Sequence, residues 1–267
     1  MGWAKRLTIV LLAFILLAYT SAVGLFAYNQ RALIYAAPAD ITPAPLGYQQ
    51  VEFETADGLT LKAAWKEPED GSPSVVYFHG NGGNWSGSAA ATSKIAAAGY
   101  GVLLTEYRGY NGNPGSPDEE GLYLDGRAAM AWLEQAGISS DQVIVIGNSL
   151  GSGVATDIAS EIPVKALILI SPFTSLPDSG ASLYPWLPVR WVVQDKYPNL
   201  DKIGDVVAPV LVMHGTSDRV IPFEHGEALA ERAIKADLLS FPGVGHDLAF
   251  RNEGAAAVHD WVARLPN

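Results

Sequence analysis

The amino-acid sequence predicts an α/β domain: a leading β-hairpin, then a mostly parallel sheet of about eight strands with helices on both faces. Three observations lead there. Short runs of branched apolar residues recur along the chain. Ala-rich or amphipathic stretches separate them. The runs are apolar throughout rather than alternating, which is the pattern of strands covered on both faces.

The first element lies outside that sheet. Residues 7–28 carry no charged side chain, and Lys5 and Arg6 stand just before them. As a helix the run would reach about 33 Å, against a hydrocarbon core of about 30 Å. Residues 1–28 are therefore expected to form an N-terminal transmembrane anchor. Lys5 and Arg6 would hold its start in the cytoplasm and leave the rest of the chain outside the inner membrane. A cleaved signal sequence competes with this reading, with residues 7–18 as its apolar region and Thr20-Ser21-Ala22 as the cut; the domain would then be secreted.

Residues 29–47 hold Pro38, Pro43 and Pro45 and read as a linker. Residues 48–267 form the expected domain. Strands at 49–55 and 59–65 flank Asp57-Gly58, a hairpin turn signal. Further strands are expected at 74–78, 101–105, 142–146, 166–170, 209–213 and 238–241. A small cap, at about 172–205, fills the long gap between the sixth and seventh.

Composition narrows the function. A net charge of −11 over 267 residues argues against nucleic acid, which is gripped by Lys and Arg. The chain has no cysteine, so disulfides, thiolate metal sites and Cys-linked lipids are excluded. Its five histidines form no metal-binding spacing, and neither metal nor cofactor is expected.

In open parallel sheets, ligands bind beyond the carboxyl ends of the strands. There the sequence places Gly147-Asn148-Ser149-Leu150-Gly151, a Gly-x-Ser-x-Gly between strand and helix. Such a turn pushes a serine out of the sheet, and the glycines avoid collision with nearby chain. A serine needs a base, a group to orient that base, and donors for an oxyanion. Asp218 and His246 follow the last two strands, and the order Ser, Asp, His is that of the nucleophile-elbow enzymes. Ser149, Asp218 and His246 are thus the expected catalytic residues. The oxyanion donors are expected to be the backbone N–H groups of Leu150 and of Asn81 in His79-Gly80-Asn81-Gly82-Gly83-Asn84. Arg108 in "EYRGY" is expected to pair with a carboxylate rather than touch substrate.

The segments "VVYFHGNGGN", "EYRGYNGNPGSPDEEGLYLDGRAAMAWL", "VIGNSLGSGVA" and "PVLVMHGTSDRVIP" resemble the α/β-hydrolase superfamily. The similarity is to its membrane-anchored, small-cap branch, related to serine aminopeptidase-like hydrolases. That resemblance implies Ser149 as nucleophile, Asp218 as acid and His246 as base, and a reaction on esters or thioesters. Asn148 and Glu106 depart from the branch's usual residues, which leaves the substrate open. Two other functions stay in play: a peptidase, with Asp178 and Asp195 of the cap as anchors for an amine, and a catalytically silent membrane-tethered binding protein. For an acyl or lipid-like ester, the cap stretch "SLYPWLPVRWVVQDKYP" is expected to supply the groove, with Trp186 and Trp191 as substrate-binding residues.

Overall fold

The computed structural model describes residues 2–69 and 71–266. It begins with helix α1, Trp3–Ile34, the one helix among the described residues that is long and apolar enough to cross a membrane. The helix does not end at residue 28. It runs into the expected linker because Gln30 and Arg31 find partners in the cap, so their polarity does not stop it. Residues 35–48 are likewise no free tether. The Ala36 N–H donates to Asn81 Oδ1, and the Thr42 N–H to Asn111 Oδ1, strapping the segment to the domain.

Strands β1, Gln49–Glu54, and β2, Thr60–Lys66, form the hairpin, with Gly58 at φ +84° in its turn. After β3, Ser74–Phe78, come helices α2, Trp85–Ala91, and α3, Ser93–Ala97. Strand β4, Gly101–Thr105, leads to helix α4, Glu119–Gln135. Asp118 caps α4 by accepting from the Gly121 N–H, and Glu119 and Glu120 meet the positive end of its dipole. Then follow β5, Val143–Asn148, α5, Gly151–Glu161, and β6, Ala166–Ile170. The cap holds three short helices, α6 at Leu176–Leu183, α7 at Val189–Val192 and α8 at Asn199–Lys202. Pro185 and Pro188 lie in the break between α6 and α7, where a continuing helix would lose its hydrogen bonds. The chain closes with β7, Val210–Gly215, α9, Phe223–Arg232, β8, Ala236–Phe241, and α10, Asn252–Val262.

The strands make one eight-stranded sheet in the order β1-β2-β4-β3-β5-β6-β7-β8. The β1–β2 and β2–β4 pairs are antiparallel, and every other pair is parallel. Side chains alternate between the two faces of each strand. Val76, Val145 and Leu169 pack with α4 and α5 on one face; Val75, Ile146 and Ile168 pack with Trp85, Ile95 and Trp261 on the other. Both faces being covered explains the unbroken apolar runs. The arrangement turns the loops after β3, β5, β7 and β8 toward a common edge.

Candidate active site

Ser149 stands at the turn between β5 and α5 with φ +51°, a left-handed conformation that costs a serine about 1–3 kcal/mol. Its surroundings hold it there. The Ser149 N–H donates to Ile170 O at 2.9 Å, and the Ser152 N–H and Oγ both donate to Ser149 O, at 2.9 and 2.6 Å. Two glycines make room. A Cβ on Gly151 would sit 2.1 Å from Phe78 O, and one on Gly147 would sit 2.4 Å from Gly151 O. Each neighbour is backbone and cannot swing aside.

The structure brings the three expected residues together. Ser149 Oγ lies 2.9 Å from His246 Nε2, and His246 Nδ1 lies 2.7 Å from Asp218 Oδ2. The other carboxylate oxygen, Oδ1, accepts the N–H groups of Val220 at 2.8 Å and Ile221 at 2.9 Å. Burial alone would raise the Asp218 pKa. The His214 ring 3.5 Å away, the bond with His246 and the Ile221 N–H outweigh it and hold the carboxyl well below its usual range. Asp218 is thus a fixed anion beside the imidazole.

Among the described residues the N–H groups of Asn81 and Leu150 have no acceptor, and both residues line the same cavity as Ser149. Helix α5 has no side-chain cap, so its N-terminal dipole also faces that space. The Asn81 side chain turns the other way and grips α1: its Oδ1 accepts from Ala36, and its Nδ2 donates to Leu33 O at 3.2 Å. His79, buried beneath the same loop, is hydrogen-bonded through Nδ1 to Gly80 O at 2.8 Å and lies against the Tyr107 ring.

The cavity has a volume of about 520 Å³, within the range of small-molecule sites, and its walls are mostly apolar. Here the expected groove is corrected. Neither Trp186 nor Trp191 lines it; they are 60% and 89% exposed. The cap side chains that line it include Leu176, Leu183, Tyr184, Val189 and Val193, with Leu183 and Tyr184 also partly exposed. Trp186 lies in the break between α6 and α7 and Trp191 on α7, and both face outward, which composition could not reveal. A wall that sequence reasoning missed comes from α1, where Phe26, Gln30, Leu33 and Ile34 face the cavity. The signal was there: Leu33 and Ile34 keep the helical apolar rhythm beyond Asn29-Gln30-Arg31.

Arg108 pairs with carboxylates as expected. It reaches Asp57 at 2.8 Å and Asp125 at 2.8 Å, and it does not line the cavity. The two cap acids are also engaged: Asp178 with Arg190 at 2.8 Å, and Asp195 with Arg31 at 3.4 Å. Neither lines the cavity. Among the described residues no group of three or more His, Asp or Glu converges to hold a metal.

A parallel sheet with a serine on a strained strand-to-helix turn, contacting a histidine that contacts an aspartate, defines the class of nucleophile-elbow α/β proteins. The chain matches the family model for the alpha/beta hydrolase fold over residues 73–192 and that for TAP-like protein over residues 187–265. It is 41% identical over 229 residues to an uncharacterized protein of Mycobacterium tuberculosis, covering 82% of this chain and 81% of the relative. Over 210 residues it is 30% identical to the lysophosphatidylserine lipase ABHD12 of Danio rerio, covering 70% of this chain and 54% of that relative. The chain belongs to the α/β-hydrolase superfamily. Solved structures share the fold at low identity. The Pyrococcus furiosus esterase Pf2001 has a TM-score of 0.67 at 21% identity, over 85% of this chain and 96% of its own. Est1E of Butyrivibrio proteoclasticus with bound ferulic acid has a TM-score of 0.67 at 20% identity, over 80% and 99%.

Proposed function

We propose that the chain is a membrane-anchored serine hydrolase that cleaves carboxylic esters or thioesters of acyl chains. The observation that carries this reading is the contact chain Ser149–His246–Asp218 at the end of an apolar cavity. In this mechanism His246 Nε2 takes the Ser149 proton as Oγ attacks the carbonyl carbon. Asp218 keeps the Nδ1 proton in place and balances the imidazolium. The oxyanion forms between the Leu150 and Asn81 N–H groups, which need no reorientation to receive it. His246 then protonates the leaving oxygen or sulfur, and an acyl group stays on Ser149. Water, activated by the same histidine, releases the acid. No cofactor takes part.

The names of the relatives favour esters: one is a lipase, and several proteins of like fold are esterases. A peptidase is disfavoured, because Asp178 and Asp195 are already paired with arginines and lie outside the cavity. A silent binding protein would have no use for a strained serine held against a histidine. The anchor reading is favoured over a cleaved signal because Tyr19, on the N-terminal side of the Thr20-Ser21-Ala22 cut, donates its hydroxyl to Trp186 O of the cap at 3.1 Å, a contact that cleavage would remove. With Lys5 and Arg6 cytoplasmic, the domain lies on the outer side of the inner membrane.

The test uses the full chain in detergent with a fluorophosphonate probe and a panel of esters, thioesters and aminoacyl amides. Wild type should label and turn over an ester or thioester, and Ser149→Ala should do neither. Undiminished labelling of the variant would remove Ser149 from the mechanism, and turnover of amides alone would favour the peptidase.

A further inference from the structure

The cap exposes apolar side chains, and two of the residues that carry them, Tyr184 and Trp186, touch α1. Tyr184, Trp186 and Trp191 are 44%, 60% and 89% exposed. The patch is not a separate surface. The Tyr19 hydroxyl donates to Trp186 O at 3.1 Å, and the Phe26 and Tyr184 rings lie 6.3 Å apart. Within residues 182–193 the one charged side chain is Arg190, and Asp178 already pairs with it at 2.8 Å.

Those contacts fix a depth. A hydrocarbon core of about 30 Å takes about 20 helical residues, which from the basic pair Lys5-Arg6 runs to about Phe26. Tyr19 lies two helical turns before Phe26, on the order of 10 Å below that boundary. Amphipathic elements at a membrane surface bury their apolar faces about 5–10 Å deep, and Trp is the side chain best suited to that boundary. The cap tip that touches Tyr19 is therefore at leaflet depth.

We propose that the cap tip, through Trp186 and Trp191, is seated in the near leaflet of the bilayer that α1 spans, and that the substrate is an acyl lipid of that leaflet. The inference rests on the acyl-hydrolase reading above and adds the entry route. The face of α1 that carries Phe26, Leu33 and Ile34 is also a wall of the cavity. An acyl chain in contact with α1 passes from the leaflet to Ser149 along one apolar surface, without its methylenes crossing water. Each methylene left wet would weaken the transfer about fourfold. The tryptophans thus hold the cavity mouth in the lipid rather than bind the acyl chain.

The test uses the full chain in phosphatidylcholine vesicles, in a Trp3→Phe background, because Trp3 lies at the opposite end of α1. Vesicles made with acyl-brominated phosphatidylcholine should quench its tryptophan fluorescence. In W186F/W191F the larger part of that quenching should vanish; unchanged quenching would overturn the seating. In a second arm, W186D/W191D should slow hydrolysis of 1-oleoylglycerol held in the vesicles by about tenfold or more, since charge enters a leaflet at high cost. Hydrolysis of water-soluble p-nitrophenyl butyrate should stay within about twofold. Equal effects on both esters would overturn the route. If wild type cleaves neither ester, the hydrolase reading fails while the quenching arm still decides the seating.

Discussion

Replacing Asp218 by asparagine should disable the site through the direction of one amide. In the native loop, Oδ1 accepts the Val220 and Ile221 N–H groups at 2.8 and 2.9 Å, and Oδ2 faces His246 Nδ1 at 2.7 Å. Asparagine has one oxygen, and two fixed backbone donors claim it. Its NH₂ must then face His246 Nδ1 and donate to it. The imidazole proton moves to Nε2, the nitrogen 2.9 Å from Ser149 Oγ. A protonated Nε2 cannot accept from the serine, so general base catalysis is lost. Where an aspartate holds a catalytic histidine this way, the same change lowers kcat about 10⁴-fold. That is about 5 kcal/mol of transition-state stabilisation. The assay is kcat for p-nitrophenyl butyrate, with thermal unfolding as the control for folding. A loss below about tenfold with an unchanged melting temperature would refute the role given to Asp218.

Three more outcomes follow from other features. Because Asp218 is held below its usual pKa, its stabilising effect is full above the unfolded carboxylate value near 4 and is lost as the pH falls through the lower folded value. The melting temperatures of wild type and Asp218→Asn should therefore converge between about pH 5 and pH 2; a gap that widens on acidification would contradict this. Arg108→Ala should cost about 3–5 kcal/mol, and so on the order of 10 °C in melting temperature, by stranding the Asp125 carboxyl, whose pKa burial already pushes up to about 6 despite the arginine. A loss of only a degree or two would mean that water reaches Asp125. Leu33→Trp, which fills the α1 wall of the cavity, should lower the ratio of dodecanoate to butyrate kcat/KM by about fourfold for each carbon it displaces; an unchanged ratio would place the acyl chain elsewhere.

The strands were legible because burial on both sheet faces leaves no room for alternation, as in the run from Val143 to Ile146. The convergence of Ser149 and Asp218 was legible because each follows a strand that the same pattern marks. His246 follows β8, an edge strand whose side chains are largely exposed, and was legible from the order Ser, Asp, His. What the sequence hid were contacts between segments far apart. Asn81 stands out as a loop residue, yet nothing local says that its side chain grips the end of α1. Asn29-Gln30-Arg31 looks like the start of a linker, because a polar triplet after an apolar run usually meets water. Here Gln30 and Arg31 meet the cap instead. The cap itself was legible in composition but not in direction. Pro185 and Pro188 turn the chain, and only the fold decides that Leu183 and Val193 line the cavity while both tryptophans face out.

The unbroken run of α1 into the cavity wall has a kinetic consequence. An enzyme on a loose tether samples the volume around it and answers to concentration in solution. This domain is clamped at Gln30, Arg31 and Ala36 and keeps one orientation to its helix. With that helix in a bilayer, encounters become two-dimensional. For the lipid substrate proposed above, the rate should then track the mole fraction of substrate among neighbouring lipids, and diluting the vesicles should leave it unchanged while diluting the substrate with inert lipid should not.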